Sequence, residues 1–233
     1  MLKIRQWLMG DITTRENVDH FRRLFDCENK IRILVIGGGT VGVGLDLLIK
    51  DLDCEIVVVD VYASDAVDYV CDSHYLPFKD SSFDAVWIQA VLEHVIDPKM
   101  VVAQIARVLK PKGAVYAETP FMQPVHEGAY DYTRFTVLGH RYLFRDFRAV
   151  KFGANRGADI ALAWSLKYFM TALLRSKNIG RACFYLAIIF LLPVRPLLSR
   201  WISADSASGV FFVGVKTESR LTHRELPKLY RIK

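Results

Sequence analysis

Cysteine is scarce in this 233-residue chain: Cys27, Cys54, Cys71 and Cys183 are the whole supply, and no two form a CxxC pair. That scatter supports neither a zinc site nor a disulfide framework and suits a reducing compartment, so a cytoplasmic location is expected. No His/Cys/carboxylate set has metal-ligand spacing, so no metal is expected. Long apolar runs are also missing. Nothing reaches the roughly 20 residues of a spanning helix, which argues against a conventional transmembrane protein. The opening Met1–Gly10 has Lys3 and Arg5 but no apolar stretch behind them, so a signal peptide is not expected. Acid is absent over residues 160–204. What remains is ample for a core: 52% apolar and 24% charged residues fit one α/β domain with an appendage.

The net charge of +6 is uneven. Residues 31–160 hold 13 Lys/Arg against 17 Asp/Glu, whereas residues 161–233 hold 12 against three. The basic tail also carries the most apolar run, Ala182–Val194, 13 uncharged residues between Arg181 and Arg195. Basic and apolar together favour an anionic membrane surface over nucleic acid. As a helix, 13 residues span about 20 Å, short of a hydrocarbon core, and Pro193 and Pro196 disturb its end. An interfacial helix is one reading; a helix buried against the sheet or in a homodimer interface is the other.

Residues 17–25 place Val18, Phe21, Leu24 and Phe25 at helical spacing. Ile31–Ile36 is a run of apolar β-formers that stops at glycine, the opening of a parallel-sheet unit. LDLLIKDL predicts the following helix and CEIVVVD a second buried strand ending at Asp60. Further strands are expected at 69–71, 83–88, 113–118, 148–154 and 209–216, with helices at 97–109 and 136–144, the latter capped by Thr136. Strands alternating with helices argue for a doubly wound, mostly parallel sheet. The last two strands are separated by about 54 residues, long for neighbours.

Gly37-Gly38-Gly39-Thr40-Val41-Gly42 satisfies GxGxxG between a strand and a helix, with Asp60 ending the next strand. Glycines admit a ligand to a helix N-terminus, and a strand-end carboxylate can accept two ribose hydroxyls. On these residues alone, a nicotinamide or flavin dinucleotide and any other adenosine-containing cofactor remain open.

Further motifs follow in order: Asp72 with Leu76-Pro77-Phe78, then Ser82-Phe83-Asp84-Ala85-Val86, Val91-Leu92-Glu93-His94-Val95, and Arg107-Val108-Leu109-Lys110-Pro111-Lys112-Gly113. Over about residues 31–150 the chain resembles the class I S-adenosylmethionine-dependent methyltransferases, specifically the type 11-like branch. The resemblance implies a Rossmann-like, seven-stranded sheet and S-adenosyl-L-methionine as cofactor. It implies that Gly37, Gly38, Gly39 and Gly42 line the cofactor. It further implies that Asp60 and Val61 hold its ribose, that Asp72 and Ser73 lie by the adenine, and that Gln89 sits by the methionine portion. One position departs from the pattern. Val35 stands where the family has an acidic residue, which leaves open a replacement group, weak binding or a cofactor-free relative.

Methyl transfer to a hydroxyl needs a base and an in-line acceptor about 3 Å away. The loop after the fifth strand supplies candidates: His126 first, since imidazole titrates near neutrality, and Asp131. Glu127, Tyr130 and Arg134 are read as substrate-binding. The same polar loop residues have a plainer use, knitting the loop to the core. His94 is read as structural, at a helix start. The expected organisation is an N-terminal helical cap (1–30), a cofactor-binding core (31–154), a helical insertion (155–208), and a last strand with a basic tail (209–233). The expected activity is methyl transfer to a small-molecule or glycan- or lipid-linked acceptor, at oxygen. A dinucleotide-dependent oxidoreductase and a non-catalytic membrane adapter of the same fold are the alternatives.

Overall fold

The computed structural model describes residues 12–25, 30–39, 53–198 and 200–230. The first apolar run is β1 (Ile31–Ile36), buried throughout except at Arg32, as a central strand covered on both faces must be. It is flanked by β2 (Cys54–Asp60) and β4 (Phe83–Gln89), with β3 (Tyr69–Val70) on the outer edge. Beyond β4 lie β5 (Leu109–Pro120), β7 (Gly209–Lys216) and β6 (Phe147–Arg156), giving the order β3-β2-β1-β4-β5-β7-β6. The first five strands run parallel; β7 is antiparallel to both β5 and β6. Strand order reverses at β1, so a crevice opens beyond the carboxyl ends of β1 and β4. Register puts Ile36 level with Val59 and Ile88, and Gln89 level with Glu118, so Gly37, Asp60, Gln89 and Glu118 share that rim.

Each face of the sheet has its own core. On one, α1 (Ile12–Arg22) buries Val18 and Phe21 against Trp87 and Tyr116, whose rings stack 4.0 Å apart. On the other, α2 (Pro98–Val108) buries Val101, Val102, Ile105 and Val108. Those four side chains contribute roughly 6–10 kcal/mol of transfer free energy before conformational entropy is charged. Asp97 caps this helix, accepting from Lys99 and Met100 N–H. The helix ends at Val108, and β5 begins at once because Leu109 pairs with Phe83, four residues before the expected strand start. Helix α3 (Val137–Leu143) has Thr136 Oγ1 accepting from Gly139 N–H at 3.0 Å.

Between β6 and β7 the chain forms α4 (Ala158–Leu174), α5 (Lys177–Leu191), a 3-10 continuation (Leu192–Leu197) and α6 (Arg200–Asp205). Helices α4 and α5 pack as a hairpin around Ile160, Ala163, Phe184 and Ile188. They approach so closely that a Cβ on Gly180 would lie 1.9 Å from Thr171 Oγ1. Arg195 closes the far end on Asp159 at 2.6 Å.

The exclusion of a membrane-length segment does not hold. Residues Lys177–Leu197 form one 21-residue helical run with a mean hydropathy of 1.5 in its most apolar stretch, of which 17% is buried. Reading the sequence from charge to charge stopped this run at both ends. Ser176 caps a helix that starts at Lys177, four residues before Arg181, and Pro193 and Pro196 are absorbed by the 3-10 turns instead of ending it. Gly42, Cys27 and the helix expected at 45–52 lie outside the described residues.

Candidate active site

The glycine turn is sterically committed. Gly37 has φ +78°, and a Cβ there would lie 2.1 Å from Val91 Cγ2. A Cβ on Gly39 would lie 2.8 Å from Asp60 Oδ2, the oxygen to which Gly39 N–H donates at 2.9 Å. Asp60 Oδ1 accepts from Tyr62 N–H at 3.0 Å. Two backbone donors thus fix the carboxylate and leave one lone pair free on each oxygen. This rim borders a cavity of about 790 Å³ lined by Gly37, Gly39, Asp60, exposed Val61, Asp72 and buried Ser73. Asp72 caps the turn Ser73–Tyr75 and accepts from His74 N–H at 2.9 Å and His74 Nδ1 at 2.6 Å. Chiefly through the His74 backbone bond, its carboxyl is held below the usual range.

A second cavity of about 290 Å³ adjoins the first, sharing Ile36, Gly37 and Ala90. Gly38, Gln89 and Glu118 line it. Gln89 Nε2 donates to Glu118 Oε2 at 2.7 Å, while Tyr116 Oη and, at 3.4 Å, Thr14 Oγ1 donate to Oε1. Burial first, and the Glu118 charge second, push the Tyr116 phenol well above its ordinary value, so it stays a donor. Val35 is buried and also lines this cavity. Glu118 therefore supplies a carboxylate to the cavity wall where Val35 does not. The sequence reading passed it over; its signal is an acid closing an apolar strand, as Asp60 does.

The loop after β5 sorts the remaining candidates. Arg134 spends all its donors on the loop: Nε on Gln123 O, Nη1 on Asp131 Oδ1 and Thr133 O, and Nη2 on Asp131 Oδ2 and Pro124 O. It lines neither cavity, so the expected substrate contact from Arg134 is replaced by a loop clamp. Asp131 is the other half of that clamp. Arg134's hydrogen bonds hold its carboxyl far below the usual range, which disqualifies it as a base near neutrality. It orients His126 instead, accepting from its backbone N–H at 2.9 Å and lying 3.4 Å from Nδ1. Burial lowers the His126 pKa, with Asp131 opposing, so the ring is neutral at pH 7. His126 lines the smaller cavity, Glu127 and Tyr130 the larger.

Two residues of the Val-Leu-Glu-His-Val motif meet this loop. His94 is in a turn, not at the expected helix start; α2 begins at Pro98. Its Nδ1 is 2.7 Å from Tyr130 O, and its ring lies edge-on to His126, centroids 4.9 Å apart. Glu93 is 0% exposed, and neither carboxylate oxygen has a hydrogen-bond partner. Burial pushes it up to about 8. Its backbone carbonyl anchors the loop, accepting from Tyr132 N–H at 2.8 Å and Thr133 N–H at 3.2 Å. Sequence spacing hid this cluster because its members are joined only through the fold.

Comparison with known proteins agrees with this geometry. Residues 36–117 match a methyltransferase domain. The chain is 31% identical over 147 residues to a demethylmenaquinone methyltransferase of Renibacterium salmoninarum, covering 58% of this chain and 59% of that one. It is 31% identical over 132 residues to a ubiquinone/menaquinone biosynthesis C-methyltransferase of Saccharophagus degradans, covering 55% and 47%. The chain thus spans about half the length of these relatives. Among solved structures, Haemonchus contortus phosphoethanolamine N-methyltransferase 2 in complex with S-adenosyl-L-methionine superposes with a TM-score of 0.56 at 17% identity, over 91% of this chain and 55% of that one. With the 3-2-1-4-5-7-6 sheet and the glycine–aspartate rim, these matches identify residues 36–117 as a methyltransferase domain on the class I S-adenosylmethionine-dependent fold.

Proposed function

We propose that this protein methylates the hydroxyl oxygen of a lipid-borne acceptor, with His126 as the base. The observation that carries the reading is the His126 ring on the wall of a cavity that shares Ile36, Gly37 and Ala90 with the cavity of the glycine–aspartate rim. The larger cavity suits the adenosine portion of S-adenosylmethionine: the free lone pairs of Asp60 fit two ribose hydroxyls, and Gln89 and Glu118 face the amino-acid end. Bound there, the cofactor supplies a methyl group already made electrophilic by its sulfonium. The chain's own task is to place the acceptor oxygen in line and remove its proton as charge develops. Asp131 keeps the His126 ring turned, and the Arg134 clamp keeps Asp131 ionised and in place.

The lipid-borne character is argued from the helical hairpin. Leu166, Phe169, Leu173, Leu186, Ile189 and Phe190 are exposed on it, and Arg175 and Lys177 stand at its apex. Apolar side chains beneath cations suit the interface of an anionic bilayer. Tyr168 Oη donates to Val125 O at 3.0 Å, which brings this surface to the residue beside His126. The relatives' names favour a quinone-type lipid acceptor, and one of them is named a C-methyltransferase, acting at carbon. The hairpin surface favours peripheral attachment at the inner face of the cytoplasmic membrane.

The test incubates the protein with methyl-labelled S-adenosylmethionine and a bacterial lipid extract, then locates the label by mass spectrometry and NMR. Label on an ether oxygen of a lipid supports the reading. Label on a ring carbon overturns the oxygen assignment, label in water-soluble products overturns the lipid acceptor, and no transfer overturns the activity. Flotation with phosphatidylglycerol vesicles should be lost in Phe169→Glu/Phe190→Glu; equal flotation, or a stable dimer that buries the same face, removes the membrane surface.

A further inference from the structure

We infer that Glu93, His94 and His126 form a binding site for one divalent first-row transition cation at the wall between the two cavities. Each residue offers one ligand atom, and all three atoms lie within 4.8 Å of one another. His94 Nε2 is 3.6 Å and His126 Nε2 3.8 Å from Glu93 Oε1.

The opposite nitrogen of each ring is occupied by an acceptor. His94 Nδ1 meets the Tyr130 carbonyl at 2.7 Å, and His126 Nδ1 faces the Asp131 carboxylate at 3.4 Å. The Tyr130 carbonyl can only accept, so the His94 proton belongs on Nδ1 and leaves Nε2 as a ligand atom; the ionised carboxylate beside His126 Nδ1 favours the same tautomer there. Two imidazole nitrogens and the Glu93 carboxyl therefore converge, none of them hydrogen-bonded to another. A proton on Glu93 could serve only one neighbour, and both separations exceed hydrogen-bond length.

A cation answers the whole arrangement. Metal–ligand bonds of about 2.1 Å at tetrahedral angles separate neighbouring ligand atoms by about 3.4 Å, so the two Glu93–imidazole pairs must close by a few tenths of an ångström and the two imidazole nitrogens by at most about 1.4 Å, within reach of a side-chain rotation. Two imidazoles and one carboxylate, each imidazole backed by a carbonyl or carboxylate on its far nitrogen, are the donor set of open zinc and iron sites. Calcium and magnesium, which prefer all-oxygen shells, are disfavoured. The orphaned, fully buried Glu93 carboxylate is an independent pointer to a missing partner. Glu93 and His126 border the smaller cavity and His94 the larger, so the open coordination position faces ligand space. An oxygen ligand there would be polarised by the cation; with His126 coordinated, the proton of a bound hydroxyl would leave to water.

The inference concerns ion binding and is tested apart from methyl transfer; a bound ion would occupy the His126 nitrogen that otherwise takes the acceptor's proton, so ion and base role exclude each other on that ring. Chelator-stripped full-length protein is titrated with Zn²⁺ by calorimetry and with Co²⁺ by visible absorption, and its ion content is counted by mass spectrometry. One ion per chain with a four- or five-coordinate Co²⁺ spectrum is expected. His94→Ala and Glu93→Gln should each weaken Zn²⁺ by at least about 100-fold, and Asp131→Asn, outside the first ring of ligands, by about 10–100-fold. S-adenosylhomocysteine binding, which uses the Asp60 rim, verifies that each variant is folded. Wild-type protein without an ion, or folded His94→Ala and Glu93→Gln that keep it, overturns the site whatever the fate of methyl transfer.

Discussion

Asp60→Ala probes the rim most directly. In the wild type, Gly39 and Tyr62 N–H fix the carboxylate at 2.9 and 3.0 Å and leave one acceptor direction on each oxygen for the ribose. A hydrogen bond to a charged group contributes about 1.5–3 kcal/mol, and the low end applies at this half-open rim. Losing two such bonds costs about 3 kcal/mol, which is about 150-fold in dissociation constant. Asp60→Asn keeps one acceptor oxygen and should lose about 10-fold. Calorimetric titration with S-adenosylhomocysteine reads both values. The freed N–H groups can reach water, so the melting point should fall only slightly, by the equivalent of about 1 kcal/mol. A folded Asp60→Ala that binds within about threefold of wild type would refute the assignment of the ribose to this carboxylate.

His126→Ala should lower kcat by about 10²–10⁴-fold while S-adenosylhomocysteine affinity stays within about twofold; unchanged turnover would dismiss the imidazole from the chemistry. His140 is fully buried with both ring nitrogens unpartnered, and burial lowers its pKa to about 3. Between pH 6.5 and about 3 the unfolded chain takes up a proton that the folded chain refuses, so stability present above 6.5 is lost as pH falls, by about 2 kcal/mol at pH 5. His140→Leu should flatten that acid limb in melting curves, and an unchanged slope would assign the acid loss elsewhere. Gly180→Ala forces a Cβ to 1.9 Å from Thr171 Oγ1 and 2.7 Å from the Lys167 carbonyl, so chemical denaturation should show a loss of about 1–3 kcal/mol. Neutral behaviour there would mean that α4 and α5 part without cost.

The first two strands were legible because each is a continuous apolar run ending in glycine or acid, as at Ile36-Gly37 and Val59-Asp60. Thr136 likewise announced its helix, since a side-chain oxygen before an apolar period is a local signal. The cluster of Glu93, His94 and His126 was not legible, because its two parts are separated along the chain and are joined only when the loop hydrogen-bonds to the Glu93 carbonyl. The fate of Arg134 was equally hidden. An arginine in a polar loop reads the same whether its donors face a substrate or five acceptors of its own loop. The helical run past Pro193 escaped because proline forbids an α-helical interior but not the first positions of a 3-10 turn.

Arg156 and Gly209 sit directly opposite each other where β6 hands over to β7, and Ser208 N–H bonds back to Arg156 O at 3.0 Å. Residues 157–208 therefore leave and re-enter the molecule through one closed doorway. Antiparallel neighbours can be linked by as few as two residues, and lengthening a connection costs only logarithmically in entropy. The excursion is thus a pendant on the sheet, not a member of it. Exchanging it for a shorter or differently surfaced one would leave every rung of the β-ladder aligned while changing what the enzyme can lean against.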